Sequence, residues 1–274
     1  MEGVWAVIYN YSIDCNSSMK LLILALFLTV SLAEIIPHPG PVDSHAPLTY
    51  KVQISDPPSK RWAPIIRDYN ATLHRFLAFV DLLPIPSGFY NGVEWYAKNQ
   101  FKHQDFVAEV DAIASLSGLP FEKIFFLNFM YEYSTFKACT GILIRTAEGK
   151  VIHGRNLDFE MYELLAKLVT NVEYYKGEER IYSVDTIVGS AFALTGIRHG
   201  AFAINCDTRK AKDFSKDLIS VLVDNAMPTL WTLKKTLEEE TSYAAATKRL
   251  RTVETGGPVY FIISGVGRDE GMVI

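Results

Sequence analysis

Apolar positions along this chain recur at two spacings, and the change from one to the other falls close to residue 138. From 62 to 83 the residues Ile66, Tyr69, Leu73, Phe76, Val80 and Leu83 stand three or four apart, which places them on one stripe of an amphipathic helix. A second stripe, Phe106, Val107, Val110 and Ile113, predicts a helix over 104–116 that stops at Ser117-Gly118. Pro120 is placed to open another, with Ile124, Leu127 and Met130 on one face. Ahead of these helices, residues 49–54 alternate and predict a strand, which Pro57-Pro58 ends.

Beyond residue 138 the period shortens to two. The stretch 139–159 reads as two extended runs around a turn centred on Glu148-Gly149, a β-hairpin. Placing Thr146 opposite Val151 puts Cys139 opposite Asp158, on one face. Strict alternation then sends Arg155 to the other face, so a bulge or twist near Gly154 is needed to bring it to the thiol. Two more hairpins are predicted, 168–173 with 180–184, and 190–195 with 201–205. Residues 215–225 and 228–239 read as helices, and Ser242 is placed to cap one running to about Arg251. The β runs 258–264 and 271–274 follow, and the second stops in mid-strand, which reads as a C-terminal truncation.

Composition narrows the classes. With 274 residues, 49% of them hydrophobic and 21% charged, the chain can bury a sizeable core. A net charge of −4 and the absence of a basic cluster argue against a nucleic-acid partner, and the six histidines fall at no metal-ligand spacing, so no metal and no cofactor is expected. The aromatic-rich stretch around 84–91, with Phe76, Phe79, Phe89, Tyr90, Trp95 and Tyr96, reads chiefly as helix packing, with membrane-surface contact as the second reading.

Residues 19–33 carry Lys20, an apolar run over 21–30 and the small residues Ser31 and Ala33, the pattern of a cleaved signal peptide. Residues 1–18 form an upstream extension, with Met19 the better start. On the secretory route Asn70-Ala71-Thr72 becomes a glycosylation acceptor; Asn10 and Asn16 match the same pattern inside the extension.

Three scattered cysteines, Cys15, Cys139 and Cys206, make no disulfide framework, so a lone thiol is worth testing as a nucleophile. Cys206 follows a mostly apolar run and reads as a buried small hydrophobe. Cys139 opens a strand whose partner carries His153, Arg155, Asn156 and Asp158. Alternation puts His153 on the face away from Asn156 and Asp158, as a sheet histidine with its bonds satisfied rather than a base. Arg155 can stabilise a thiolate or a developing oxyanion, and Asp158 can accept from an ammonium group. If the bond before Cys139 is cut, the new α-amino group, with a pKa near about 7.7 to 8.0, lies beside its own sulfur and can serve as base.

The run Asn128-Phe129-Met130-Tyr131-Glu132, the pair Cys139-Thr140 and the run His153-Gly154-Arg155-Asn156-Leu157-Asp158 together resemble acid ceramidase and the N-acylethanolamine-hydrolysing acid amidase, members of the N-terminal-nucleophile hydrolase superfamily. The likeness extends from about Tyr50 to Ile274. It implies an α+β fold, a four-layer αββα sandwich, with residues 34–138 as a helical α-subunit-like segment and 139–274 as an incomplete β-subunit-like catalytic segment. It implies a lysosomal lipid amidase reached through the secretory pathway, with secretion as a second destination, acting on an N-acylethanolamine or a ceramide. Self-cleavage before Cys139 would activate it and leave the two subunits associated. On that likeness the catalytic residues are Cys139 as nucleophile, Asp158 orienting its freed amine, and Arg155 positioning thiolate and substrate.

The chain departs from the family at three places. Lys137-Ala138 reads as an insertion before the cysteine, and Thr208, between Asp207 and Arg209, stands where relatives carry a glutamate. An asparagine that the family's later strands give to the oxyanion site lies beyond Ile274. The alternative to the amidase is therefore a non-catalytic truncated isoform, and a papain-like protease is a distant third, because His153 and His199 lie too close to Cys139 in sequence.

Overall fold

The computed structural model describes residues 47–80, 92–133, 137–159, 162–209 and 214–274. The signal segment, the upstream sequons, and Phe89 and Tyr90 lie outside these residues, as does the side chain of Phe79.

Strand β1 (Thr49–Gln53) leads into helix α1 (Pro58–Val80), in which Pro58 occupies the first turn, where its missing N–H is no loss. Helices α2 (Val93–Asn99), α3 (Gln104–Ser117), α4 (Phe121–Leu127) and α5 (Met130–Tyr133) follow. Gly118, at φ +70°, ends α3 in the left-handed conformation that L side chains avoid. After residue 136 come the hairpin β2 (Lys137–Arg145) and β3 (Val151–Phe159), helix α6 (Tyr162–Ala166), then β4 (Val169–Lys176), β5 (Glu179–Ile187), β6 (Thr195–Arg198) and β7 (Phe202–Thr208). Helices α7 (Phe214–Leu222), α8 (Thr229–Glu239) and α9 (Tyr243–Thr252) precede β8 (Val259–Gly265) and β9 (Gly271–Val273). Ser242 caps α9 as expected, its hydroxyl accepting from the Ala245 N–H at 3.2 Å.

Seven strands form one sheet in the order β1-β4-β5-β6-β7-β8-β9, parallel only between β1 and β4. The hairpin β2-β3 is a separate sheet stacked on the face of β7 and β8, and α8 lies across the other face. The described residues thus make three of the four layers expected, in an α+β arrangement. Between helices and sheet, Phe101, Phe106, Phe125, Phe129 and Trp231 pack edge to face, with ring centres 4.8 Å apart for Phe125–Phe129 and 5.3 Å for Phe106–Trp231. Gly196 on β6 lets α8 approach, since a Cβ there would collide with Leu237.

A charge cluster is buried in this layer. Lys234 of α8, 2% exposed, donates to Glu109 of α3 at 2.8 Å and lies 4.8 Å above the Trp231 ring. Glu109 also accepts from Arg61 at 2.6 Å and from Trp62 Nε1, both on α1. Burial alone pushes the Glu109 carboxyl up; the Lys234 and Arg61 charges more than reverse this and hold it below the ordinary carboxylate range.

One predicted strand is absent. Residues 190–194 are not extended into a ladder, and β6 begins only at Thr195. Ala191, Phe192, Ala193 and Leu194 are apolar because all four are buried in a loop, whose backbone is held by side chains: Asn128 accepts from Ala191 N at 2.7 Å and Thr186 donates to Phe192 O at 2.7 Å.

Candidate active site

The register of β2 against β3 decides which side chains meet. Its turn is the three-residue kind: Gly149 N–H donates to Thr146 O, Gly149 takes φ +83°, and Thr146 N–H donates to Lys150 O at 2.8 Å. A left-handed glycine after a tight turn adds a bulge residue. Arg145 therefore pairs with Val151, and Cys139 with Leu157. This corrects the expected pairing by one residue: Asp158 stands opposite Ala138, not Cys139. A shift of one exchanges the faces. Cys139 and Gly141 now share a face with His153 and Arg155, so no bulge near Gly154 is needed. The side chain of Asp158 lies outside the described structure.

That shared face is the half-buried one. Ile142, Ile144 and Ile152 on the other face are 50%, 55% and 57% exposed. Toward the larger sheet, the Arg155 guanidinium donates to Cys139 Sγ at 3.7 Å and to the backbone oxygen of Cys206 at 3.2 Å. The carbonyl fixes the guanidinium beside the sulfur, where its charge favours a thiolate. Cys206, fully buried on β7, is the inert thiol expected: burial pushes it up to about 12.

His153 is satisfied, as its position suggested. Nε2 is 2.6 Å from Asn205 Oδ1 and Nδ1 is 3.0 Å from Ser264 Oγ. Its pKa is lowered, chiefly by burial, with the Arg155 charge adding; the Asn205 bond and the Asp207 charge act the other way. Asn205 in turn donates to Asp207 Oδ1 at 2.9 Å, and Asp207 Oδ2 accepts from the Gly141 backbone N–H at 2.6 Å.

Sequence reasoning missed Asn205, Asp207 and Ser264. Their signal was present as polar residues inside two otherwise apolar runs: Asn205 and Asp207, two apart at the end of 201–207, and Ser264 near the end of 259–265. It also left the run 128–132 without a physical reading. There, buried Asn128 donates to Ile124 O and Gly189 O, and Glu132 accepts from Thr229 N–H at 2.7 Å at the start of α8. Tyr131 lies buried beside Cys206 and Thr208, its phenol held well above the usual range, mainly by burial. Asn128 thus ties the end of α4 to the 189–191 loop, and Glu132 ties α5 to the start of α8.

Among the described residues no cluster of three or more metal-ligating side chains occurs, and no helix is long and apolar enough to cross a membrane. A cleft of about 320 Å³ lies elsewhere, between Lys51, Gln53, Lys60, Arg61 and Tyr175.

A strand-borne thiol held against a guanidinium, on a hairpin stacked over a helix-backed sheet, is an arrangement suited to a thiol hydrolase. The family described as the beta subunit of N-acylethanolamine-hydrolyzing acid amidase matches residues 45–103, within the segment ahead of Cys139. The mouse N-acylethanolamine-hydrolyzing acid amidase is 31% identical over 266 residues, covering 95% of this chain and 71% of that protein. The enzyme of the same name from Caenorhabditis elegans is 27% identical, covering 83% and 67%. Mouse acid ceramidase is 26% identical, covering 86% and 64%. A solved structure of the Caenorhabditis elegans ortholog aligns with TM-score 0.46 and 27% identity, over 50% of this chain and 58% of that one. The chain belongs to the acid ceramidase and N-acylethanolamine-hydrolysing acid amidase family and is an amidohydrolase.

Proposed function

We propose that the chain hydrolyses a fatty N-acyl amide, an N-acylethanolamine ahead of a ceramide, through a thioester on Cys139, after cutting itself before that residue. The observation that carries this is the Arg155 contact to Cys139 Sγ on the inner face of the hairpin. In the first step Cys139 Sγ attacks the carbonyl carbon of Ala138, the peptide C–N bond breaks, and the nitrogen takes up the thiol proton. Water then hydrolyses the thioester. The freed amine acts as base: it takes the thiol proton as sulfur attacks the substrate carbonyl and returns it to the leaving amine. A second water releases the fatty acid. Arg155 stabilises the sulfur and the developing oxyanion, and Asp158 holds the ammonium.

The amidase names of the relatives at higher identity favour an ethanolamide over a ceramide. The apolar leader at 19–33 supports entry to the secretory pathway and delivery to the lysosome, where the cut segments stay associated. Trp95, 63% exposed on α2, supports contact with a lipid surface.

The test is the protein expressed in secretory cells, with and without Cys139→Ala. Mass spectrometry should find a polypeptide beginning at Cys139 only in the unsubstituted form, and only that form should turn over a fluorogenic fatty amide. A Cys139→Ala protein that still self-cleaves or turns over refutes the proposal. An intact, inactive chain from the unsubstituted gene supports instead a non-catalytic form.

A further inference from the structure

Besides the Arg155 bond to the Cys206 carbonyl and the contacts of Asp269 with Arg145 and the Gly149 carbonyl, the hairpin that carries Cys139 rests on the larger sheet through a string of polar contacts: Ser264 to His153, His153 to Asn205, Asn205 to Asp207, and Asp207 to the Gly141 backbone. Gly141 is two residues from the sulfur. It sits close, since a Cβ there would come within 3.0 Å of Ile262 Cγ1 and 3.2 Å of Asn205 Nδ2.

Donor and acceptor arithmetic gives the string a direction. A carboxylate only accepts, and a backbone N–H only donates, so Asp207 takes both of its bonds as acceptor. Asn205 must then point Nδ2 at Asp207 and Oδ1 at His153. That leaves Nε2 of His153 as a donor in every state. Nδ1 faces a serine hydroxyl, which rotates to donate when the imidazole is neutral and to accept when it is charged. Both charge states of His153 therefore keep every bond in the string.

We propose that Asp207 is a positioning residue: it sets the direction of this string, so that the hairpin carrying Cys139 stays seated whether or not His153 has taken up a proton. The charged groups facing His153 are Asp207 on β7 and Arg155 on its own strand, with neutral Asn205 and Ser264 completing its surroundings. In an acidic compartment a string that needed neutral imidazole would break, and the hairpin would lose part of its hold on the strand that anchors the Arg155 guanidinium through the Cys206 carbonyl.

Asp207→Asn makes the distinction. The substituted amide can accept from Gly141 with its oxygen, but its nitrogen then meets Asn205, which must turn over and present its own Nδ2 to His153 Nε2. The imidazole must now accept there, and protonation breaks the string. Near pH 8 the variant should match the parent. Near pH 5 it should lose activity by about tenfold or more, the scale of one unmade bond to a charged group. The imidazole pKa of His153, followed by NMR, should be lower in the variant. Adding His153→Gln to Asp207→Asn should abolish the difference between the two pH values.

This inference rests on Cys139 being the nucleophile, but the NMR titration reads the string even if no fatty amide is turned over. Ser264→Ala is the second probe, because it orphans the Nδ1 proton of the charged ring and should lower the same pKa. An unchanged His153 pKa in both variants, or an Asp207→Asn loss equal at pH 5 and pH 8, overturns the proposal.

Discussion

Glu109→Ala would remove the carboxylate that Lys234, Arg61 and Trp62 all address. Lys234 is almost wholly buried, so it would be left charged beside two aromatic rings and nothing anionic. Breaking a buried pair in this way costs about 3–5 kcal/mol, against a typical total of about 5–15. With a urea slope of about 2.5 kcal/mol per molar, a loss of about 4 kcal/mol moves the unfolding midpoint down by about 1.6 M. Lys234→Met should cost less, because Glu109 keeps Arg61 and Trp62. The double variant should fall well short of the sum of the two. Because the Glu109 carboxyl is held below its unfolded value, its contribution is complete above pH about 4.3 and fades as pH falls through the folded value. The gap between parent and Glu109→Ala should therefore narrow in strong acid. Equilibrium urea melts read by fluorescence check this. A midpoint shift below about 0.4 M, or additive single losses, would refute the claim that these charges are coupled. Glu109 precedes Cys139 and Lys234 follows it, so if the chain is cut before Cys139 as proposed, the same variant should let the two pieces separate at lower urea.

Two further outcomes are expected. Gly196→Val should lower stability by about 1–3 kcal/mol, because its Cβ would collide with Leu237 and stand 2.9 Å from the Ser183 carbonyl oxygen; a thermal melt would show it. Ser242→Ala should cost about 1 kcal/mol through loss of the cap on Ala245 N–H, and an unchanged melt would count against it.

Where periodicity and end signals agreed, the elements were legible from the residues. Gly118 and Ser242 are cases in which one side chain, or its lack, settles a helix end. Residues 190–194 were not legible, since burial in a braced loop yields the same apolar run as a strand. At the site, residue types made Cys139 worth testing, and the family likeness supplied the roles of Cys139, Arg155 and Asp158. The shared face of Cys139 and Arg155 depended on one bulged glycine in the turn, a single-residue effect that alternation cannot resolve. Asp207 and Asn205 escaped notice because they lie far along the chain and matter only once β7 is placed under β2.

Strand β2 runs unbroken through the peptide that joins Ala138 to Cys139, with Lys137 across from Phe159 and Ala138 across from Asp158. Severing that peptide would erase two rungs from the ladder at the end where chemistry is to happen. The residue set free to move away is the one abutting Asp158, and the newborn terminus would inherit the vacated neighbourhood. On the cut proposed above, maturation would then do more than liberate an amine: it would trim the hairpin by the two residues ahead of Cys139.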